Sequence, residues 1–251
     1  MNRFRFLAAA LVAVALVAGC RSAAKDDPIL RLSAAESLAE GKRLYEREKW
    51  AAARPYFTHA FEIEPNSAAG REALLLVADT LYMQRGTTQL IQAEAKYRDF
   101  QNRFPTSDKG AYVQFRIASS LARRIERPDR DQAATVKALA AFQDLQRLYP
   151  TSEEAAQAAG EIARIQDQLA EHEYVVGRFY QRYKLPGAAI ARFDGLITTY
   201  PGYSRRDRAL YYLALAYRQA GKADDAQSTF TRLREEYPQS EWAVKIPQEN
   251  R

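Results

Sequence analysis

Few side chains in this sequence could do covalent or metal chemistry. There is one cysteine, Cys20, and there are two histidines, His59 and His172, in 251 residues. A lone thiol forms neither an intrachain disulfide nor a cysteine-based metal site, so its chemistry must come from its surroundings. Cys20 follows a basic start at Arg3 and Arg5, an apolar run from Phe6 to Val17 and the small residues Ala18 and Gly19. That is the layout of a secretory signal. The histidines fall in separate expected helices without a second ligand, and so predict neither a metal centre nor a general base. A glycine-rich phosphate loop, a Gly-x-Ser-x-Gly elbow, a His-Glu-x-x-His pair and paired cysteines are all missing from the sequence. Carboxylates are spread as helix-surface charges rather than paired around a cleft. The expectation is a protein that is not an enzyme, with no metal and no cofactor.

The segment Leu16-Val17-Ala18-Gly19-Cys20 resembles a bacterial lipobox, in which the leader is cut before the cysteine and the thiol and new N-terminus carry lipid such as palmitate. Residues 1–19 are then a signal peptide, and the apolar run is short for a membrane span. Arg21 rather than Asp after the cysteine suggests export to the outer membrane. The mature chain is expected to be held there, on the periplasmic face, by acyl chains at Cys20. Residues 20–32 are polar, carry Pro28 and read as a flexible tether.

What remains is chemistry of recognition, by aromatic rings and cations that a scaffold must position. The scaffold is most legible from Asp207 to Ser240, where Leu213-Ala214, Tyr217, Gly221, Ala226, Phe230, Leu233 and Pro238 sit at the places a tetratricopeptide repeat demands. This unit is a helix-turn-helix of about 34 residues. Small residues let its helices A and B cross closely, and the proline ends helix B. Ser33-Ala34-Ala35-Glu36 is a capping box opening repeat one, which has Gly41, Leu44, Ala53, Phe57, Ala60 and Pro65 in register, with Pro55 in the first turn of helix B. Repeat two runs from Arg71 to about Ser107, with a short insertion near Gly86. Repeat three has a longer polar connection, Arg123 to Asp131, whose last residue is expected to cap helix B. Thr151-Ser152-Glu153-Glu154 then reads as a second capping box, and the stripe Ile162, Ile165, Leu169, Val176, Tyr180 predicts one helix from Glu153 to Lys184. At 1.5 Å per residue that helix would be roughly 48 Å long. Its second half serves as helix A of repeat four, and its first half is extra to a plain array. Glu241 to Ile246 caps repeat five.

The fold class is therefore all-α, an α-solenoid of about five tetratricopeptide repeats with one extended helix shared between repeats three and four. Residues 33–150 form repeats one to three, 151–246 the long helix with repeats four and five, and 247–251 a tail. Helix A of each repeat lines the concave side, and in repeats one to three that register exposes Lys42, Tyr45, Asp79, Tyr82, Tyr112, Phe115, Ser119 and Arg123. Aromatics flanked by cations suit an extended peptide with an aromatic residue and a carboxylate. Tyr149, Tyr200 and Tyr237 precede closing prolines and read as helix-end packing. Formal net charge is +6, and less once Arg3 and Arg5 are removed with the leader. That is too mild to imply nucleic acid. The basic runs near Arg123 and Arg205 read as solvated surface.

A lipobox, a short tether, about five repeats and the long helix together resemble the BamD family, lipoproteins of the outer-membrane protein assembly machine (also ComL/YfiO-like). The closest local likenesses are Asp129-Arg130-Asp131-Gln132, Tyr149-Pro150-Thr151-Ser152, the stretch Gln168-Leu169-Ala170-Glu171-His172-Glu173-Tyr174-Val175-Val176, and Ala188-Ala189-Ile190-Ala191-Arg192-Phe193. The resemblance implies that repeats one to three receive the targeting segment of unfolded outer-membrane β-barrel proteins. It also implies that repeats four and five dock the POTRA region of a BamA-like barrel subunit, with other assembly lipoproteins as further partners. Arg192 stands at the position of a family arginine and is the docking candidate, with Arg205 and Arg206 beside it. The sequence departs from better-known members around Trp50 and Gly86. The alternative is a repeat lipoprotein scaffold of another envelope system, such as a pilus or secretin pilotin or a Tol-Pal associated protein.

Overall fold

The structure, a computed structural model, describes residues 27–247. The signal segment, Cys20 and most of the expected tether lie outside the described residues, as does the tail from residue 248. Among the described residues the chain is all helical, without strands. It divides into two compact units, with the boundary between Phe104 and Pro105.

The first unit opens with a short 3-10 turn, Pro28–Arg31, followed by α1 (Ala34–Glu46), α2 (Trp50–Ile63), α3 (Ala68–Met83) and α4 (Thr87–Arg103). These are the hairpins of repeats one and two. The Ser33 capping box forms as expected: the Ser33 hydroxyl accepts from the Glu36 N–H while the Glu36 carboxylate accepts from the Ser33 N–H at 2.9 Å. That contact holds the Glu36 carboxyl below its usual range. The tether ends earlier than expected, because Asp27 caps the 3-10 turn and the His59 ring nitrogen donates to the Leu32 carbonyl at 3.1 Å. Pro55 also differs from expectation. The helix-forming run Ala51-Ala52-Ala53 starts α2 a turn early, at Trp50, so Pro55 lies inside the helix rather than in its first turn.

The second unit comprises α5 (Gly110–Ala122), α6 (Ala133–Leu148), α7 (Glu153–Arg182), α8 (Pro186–Thr199), α9 (Arg206–Gln219), α10 (Ala223–Glu236) and α11 (Glu241–Val244). The long helix is there, 30 residues, or about 45 Å at 1.5 Å per residue. Its N-cap is Ser152, whose hydroxyl accepts from the Ala155 N–H, rather than Thr151. It ends at Arg182, and Lys184 instead turns the chain. α7 packs on α5, α6 and α8. The connection from Arg123 is pinned against its middle: Gln168 donates to the Glu126 carbonyl at 2.9 Å and His172 to the Pro128 carbonyl at 2.6 Å. Asp131 accepts the Ala133 N–H at 2.9 Å, at the start of α6.

The repeat is built around one aromatic of helix B, which is Phe57, Tyr97, Phe142, Phe193 and Phe230 in turn, each buried. Burying such a ring contributes about 1.5–3 kcal/mol. Helix B ends the same way in every repeat. Glu64, Phe104, Tyr149, Tyr200 and Tyr237 each precede proline, adopt φ of −120 to −135° and ψ of 55 to 68°, and donate their N–H back to the carbonyl four residues earlier. The following proline excludes the helical region from these residues, so each helix stops there. At the C-terminus the side chain of Trp242 packs on Tyr211 and Tyr212, and Ile246 is buried, which closes the last repeat.

Candidate binding site

In the first unit the expected groove residues divide into surface and core. Lys42 on α1 pairs with Glu72 on α3 at 2.6 Å. Tyr45 is half-buried, with its ring 4.6 Å from Trp50 and 6.3 Å from Phe57. Asp79 and Tyr82 are buried. Asp79 accepts from the Tyr97 hydroxyl at 2.5 Å, and Tyr82 meets the Tyr97 ring edge-on at 6.5 Å. These two are therefore internal supports of repeat two.

In the second unit Tyr112 lies beneath the Arg116 guanidinium at 4.9 Å, and Phe115 packs on Phe142 at 5.8 Å. Both remain half-buried, while Ser119 is buried and Arg123, at the end of α5, is exposed. How deep each of these positions lies depends on the size of its neighbours, which a single sequence does not display.

The docking candidates also differ from one another. Arg192 is exposed on α8 and pairs with Glu173 on α7 at 3.0 Å, which raises its pKa. Arg205 is exposed and lies 3.6 Å from Glu171. Arg206 is largely covered, with only 12% of its side chain exposed, and donates to the Ile197 carbonyl at 2.6 Å. It ties α9 to the end of α8.

Sequence reasoning passed over a cluster joining helix A of repeat four to helix A of repeat five. Arg208 on α9 lies 2.6 Å from Glu171 on α7 and 2.6 Å from the Tyr203 hydroxyl, while its guanidinium stacks 3.7 Å from the centre of the Tyr174 ring. Tyr203 in turn donates to Glu171. Burial, followed by the Glu171 contact, pushes the Tyr203 hydroxyl well above the usual tyrosine range. Burial also raises Tyr174, against the pull of Arg208 and Arg178. Arg178 covers the Tyr212 ring at 3.5 Å. The signal was present in the sequence: Tyr174 and Arg178 recur one repeat later as Arg208 and Tyr212, with cation and ring exchanged.

Among the described residues no group of three or more His, Cys, Asp and Glu side chains could hold a metal, and no helix is long and apolar enough to cross a membrane. His59 and His172 are both engaged with backbone carbonyls. The fold defines a tetratricopeptide-repeat protein. The sequence matches the family described as YfiO, outer membrane lipoprotein, over residues 32–231, and the chain belongs to that family. It is 29% identical to the outer membrane protein assembly factor BamD of Rickettsia prowazekii (strain Madrid E), covering 96% of this chain and 95% of that one. It is 31% identical to BamD of Caulobacter vibrioides, covering 94% of this chain and 77% of the relative. Among solved structures it is similar to a thermophilic TPR protein of Thermus thermophilus, with a TM-score of 0.37 and 20% identity over 82% of this chain and 93% of that one.

Proposed function

We propose that this protein is a non-enzymatic subunit of the machinery that assembles β-barrel proteins into the outer membrane, lipid-anchored through Cys20 on the periplasmic face. The observation that carries this reading is similarity to BamD assembly factors along nearly the whole of both chains. In this reading helix A of repeats one to three receives a targeting segment of an unfolded outer-membrane protein. In the first unit Lys42 and Tyr45 are its accessible contacts, with Asp79 and Tyr82 buried behind them, and in the second unit its accessible contacts are Tyr112, Phe115 and Arg123, with Ser119 buried. An unfolded barrel protein exposes unpaired strand edges that aggregate, and a membrane-tethered receptor that captures its terminal strand shortens that interval. The half from 151 to 246 docks the POTRA region of the barrel-forming subunit, with Arg192 as the principal contact and Arg205 beside it.

The test is charge reversal. Arg192→Glu should weaken binding of purified POTRA domains at least tenfold while leaving the affinity for a C-terminal barrel-strand peptide unchanged. Since Arg192 is exposed and its partner is Glu173, the pair Arg192→Glu with Glu173→Arg controls for local repulsion. Equal loss of both activities would contradict the division of labour.

A further inference from the structure

Phe179 and Tyr183, one turn apart at the end of repeat four's helix A, are 53% and 62% exposed, with ring centres 4.6 Å apart. Phe179 stands five residues before Lys184, the left-handed residue that turns the repeat, and Tyr183 immediately before it. In repeat one, which no repeat precedes, the same two places relative to Glu48 are Arg43 and Arg47, both exposed. In repeats two and five the first of these places is covered. Thr80 is buried and accepts from Arg54 of α2 at 3.2 Å, and Ala216, on the helix that packs against α8, is fully buried. This face of helix A is therefore the one that a preceding helix B covers. Repeat four lacks that cover because α7 is so long. α6 runs back from Ala155, whose carbonyl accepts from Gln146 at 3.4 Å, and its 16 residues span about 24 Å. Phe179 lies about 39 Å along α7, past the far end of α6. Repeat one, uncovered at this face, presents two cations; repeat four presents two rings.

Exposed rings grouped in this way mark a contact surface. The platform is held in place before any partner arrives: Tyr183 donates its N–H to the Phe179 carbonyl at 3.2 Å, Leu185 donates to the Tyr180 carbonyl at 3.0 Å, and the Tyr180 ring meets Phe179 edge-on at 5.7 Å. Little freedom remains to be lost on binding. The rim is basic. Arg182 and Lys184 are exposed without an ion pair among the described residues, and between Glu173 and Asp194 the chain carries no carboxylate. We infer that this face docks an amphipathic helix of a partner protein, one whose apolar stripe is flanked by carboxylates. The helix takes the place that helix B of a preceding repeat would fill. α2 and α8, which fill it for repeats two and five, have 14 residues each, so the docked helix runs about four turns. Aromatic anchors at the centre supply affinity, and the cations at the rim choose an acidic partner. This surface is additional to Arg192 and does not rest on which envelope system the chain serves.

The probes are three fluorescein-labelled, hydrocarbon-stapled helices of about four turns, titrated against the purified protein by anisotropy. One has a leucine stripe flanked by glutamates, the second the same stripe flanked by lysines, and the third glutamates with the leucines replaced by serine. The first should bind saturably and at least tenfold tighter than either of the others. Phe179→Ser with Tyr183→Ser should weaken it at least tenfold, and Arg182→Glu with Lys184→Glu should reverse the preference toward the lysine helix. No preference of the parent among the three helices, or equal binding by the serine variant and the parent, would overturn the assignment. Sedimentation of the parent checks the other occupant: a dimer that Phe179→Ser with Tyr183→Ser abolishes would give this face to a second copy of the chain and contradict the proposal. Circular dichroism checks the fold of each variant, and should the serine variant not fold, the charge reversal and the comparison of helices on the parent decide.

Discussion

Gly177 on α7 lies directly against the ring of Phe193 on α8: a Cβ at Gly177 would stand 2.7 Å from Phe193 Cε1. Gly41 and Phe57 repeat the relationship in repeat one, at 2.6 Å. Both rings are fully buried and have no room to retreat. Gly177→Ala should therefore destabilise the protein by about 1–3 kcal/mol, since the strain of overpacking outweighs a gain in helix propensity of about 1 kcal/mol. Gly160, on the same helix, has nothing within 4 Å of its Cβ position. Gly160→Ala should stabilise by about 0.5–1 kcal/mol. Urea denaturation of the two variants checks both signs.

The turn between helices A and B places one residue in the left-handed region in four of the repeats: Glu48 (φ 58°), Arg85 (63°), Lys184 (58°) and Gly221 (75°). Only the last is glycine, so the other three hold a conformation that costs an L-residue about 1–2 kcal/mol. Lys184→Gly should raise stability by about 0.5–1 kcal/mol, because relief of this strain exceeds the added freedom of the unfolded chain. Gly221→Ala should lower it by a similar amount. Thermal melts of both variants provide the comparison.

Tyr203 makes stability sensitive to alkali. Its hydroxyl ionises at about pH 10 in the unfolded chain but above that in the fold, where it is buried and bonded to Glu171. Below pH 10 both states are protonated and the stabilisation is fully present. Above pH 10 the unfolded chain loses its proton first, so it binds fewer protons than the fold and stability falls as pH rises. Tm measured from pH 8 to 11 should fall beyond pH 10, and Tyr203→Phe should flatten part of that fall while costing about 1 kcal/mol at neutral pH. An unchanged alkaline slope in Tyr203→Phe would rule this residue out as its source.

The fold was legible in the sequence because its determinants are local. Proline after a helix-B terminus, small residues at the crossing and the buried aromatic each act within one repeat, so residues such as Phe57, Phe193 and Pro238 mark their roles by spacing alone. Helix starts were less legible. Ser152 competed with Thr151 as the cap of α7, and the alanines before Pro55 extended α2 backward, because caps differ by small energies that neighbouring propensity overrides. The depth of the candidate residues was not legible: Asp79 and Tyr82 are buried against Tyr97, a partner that lies on the next helix. The Glu171, Tyr203 and Arg208 cluster joins residues up to 37 positions apart, and its pairing depends on how two helices align.

The central claim is that this lipoprotein-family chain serves β-barrel assembly. Its most direct test is affinity capture of the tagged, lipidated protein from mildly solubilised envelope, followed by mass spectrometry. Recovery of a POTRA-bearing barrel protein as the principal partner is the predicted result. Recovery of a secretin or of Pal in its place would contradict the account and assign the same fold to a scaffold of another envelope system.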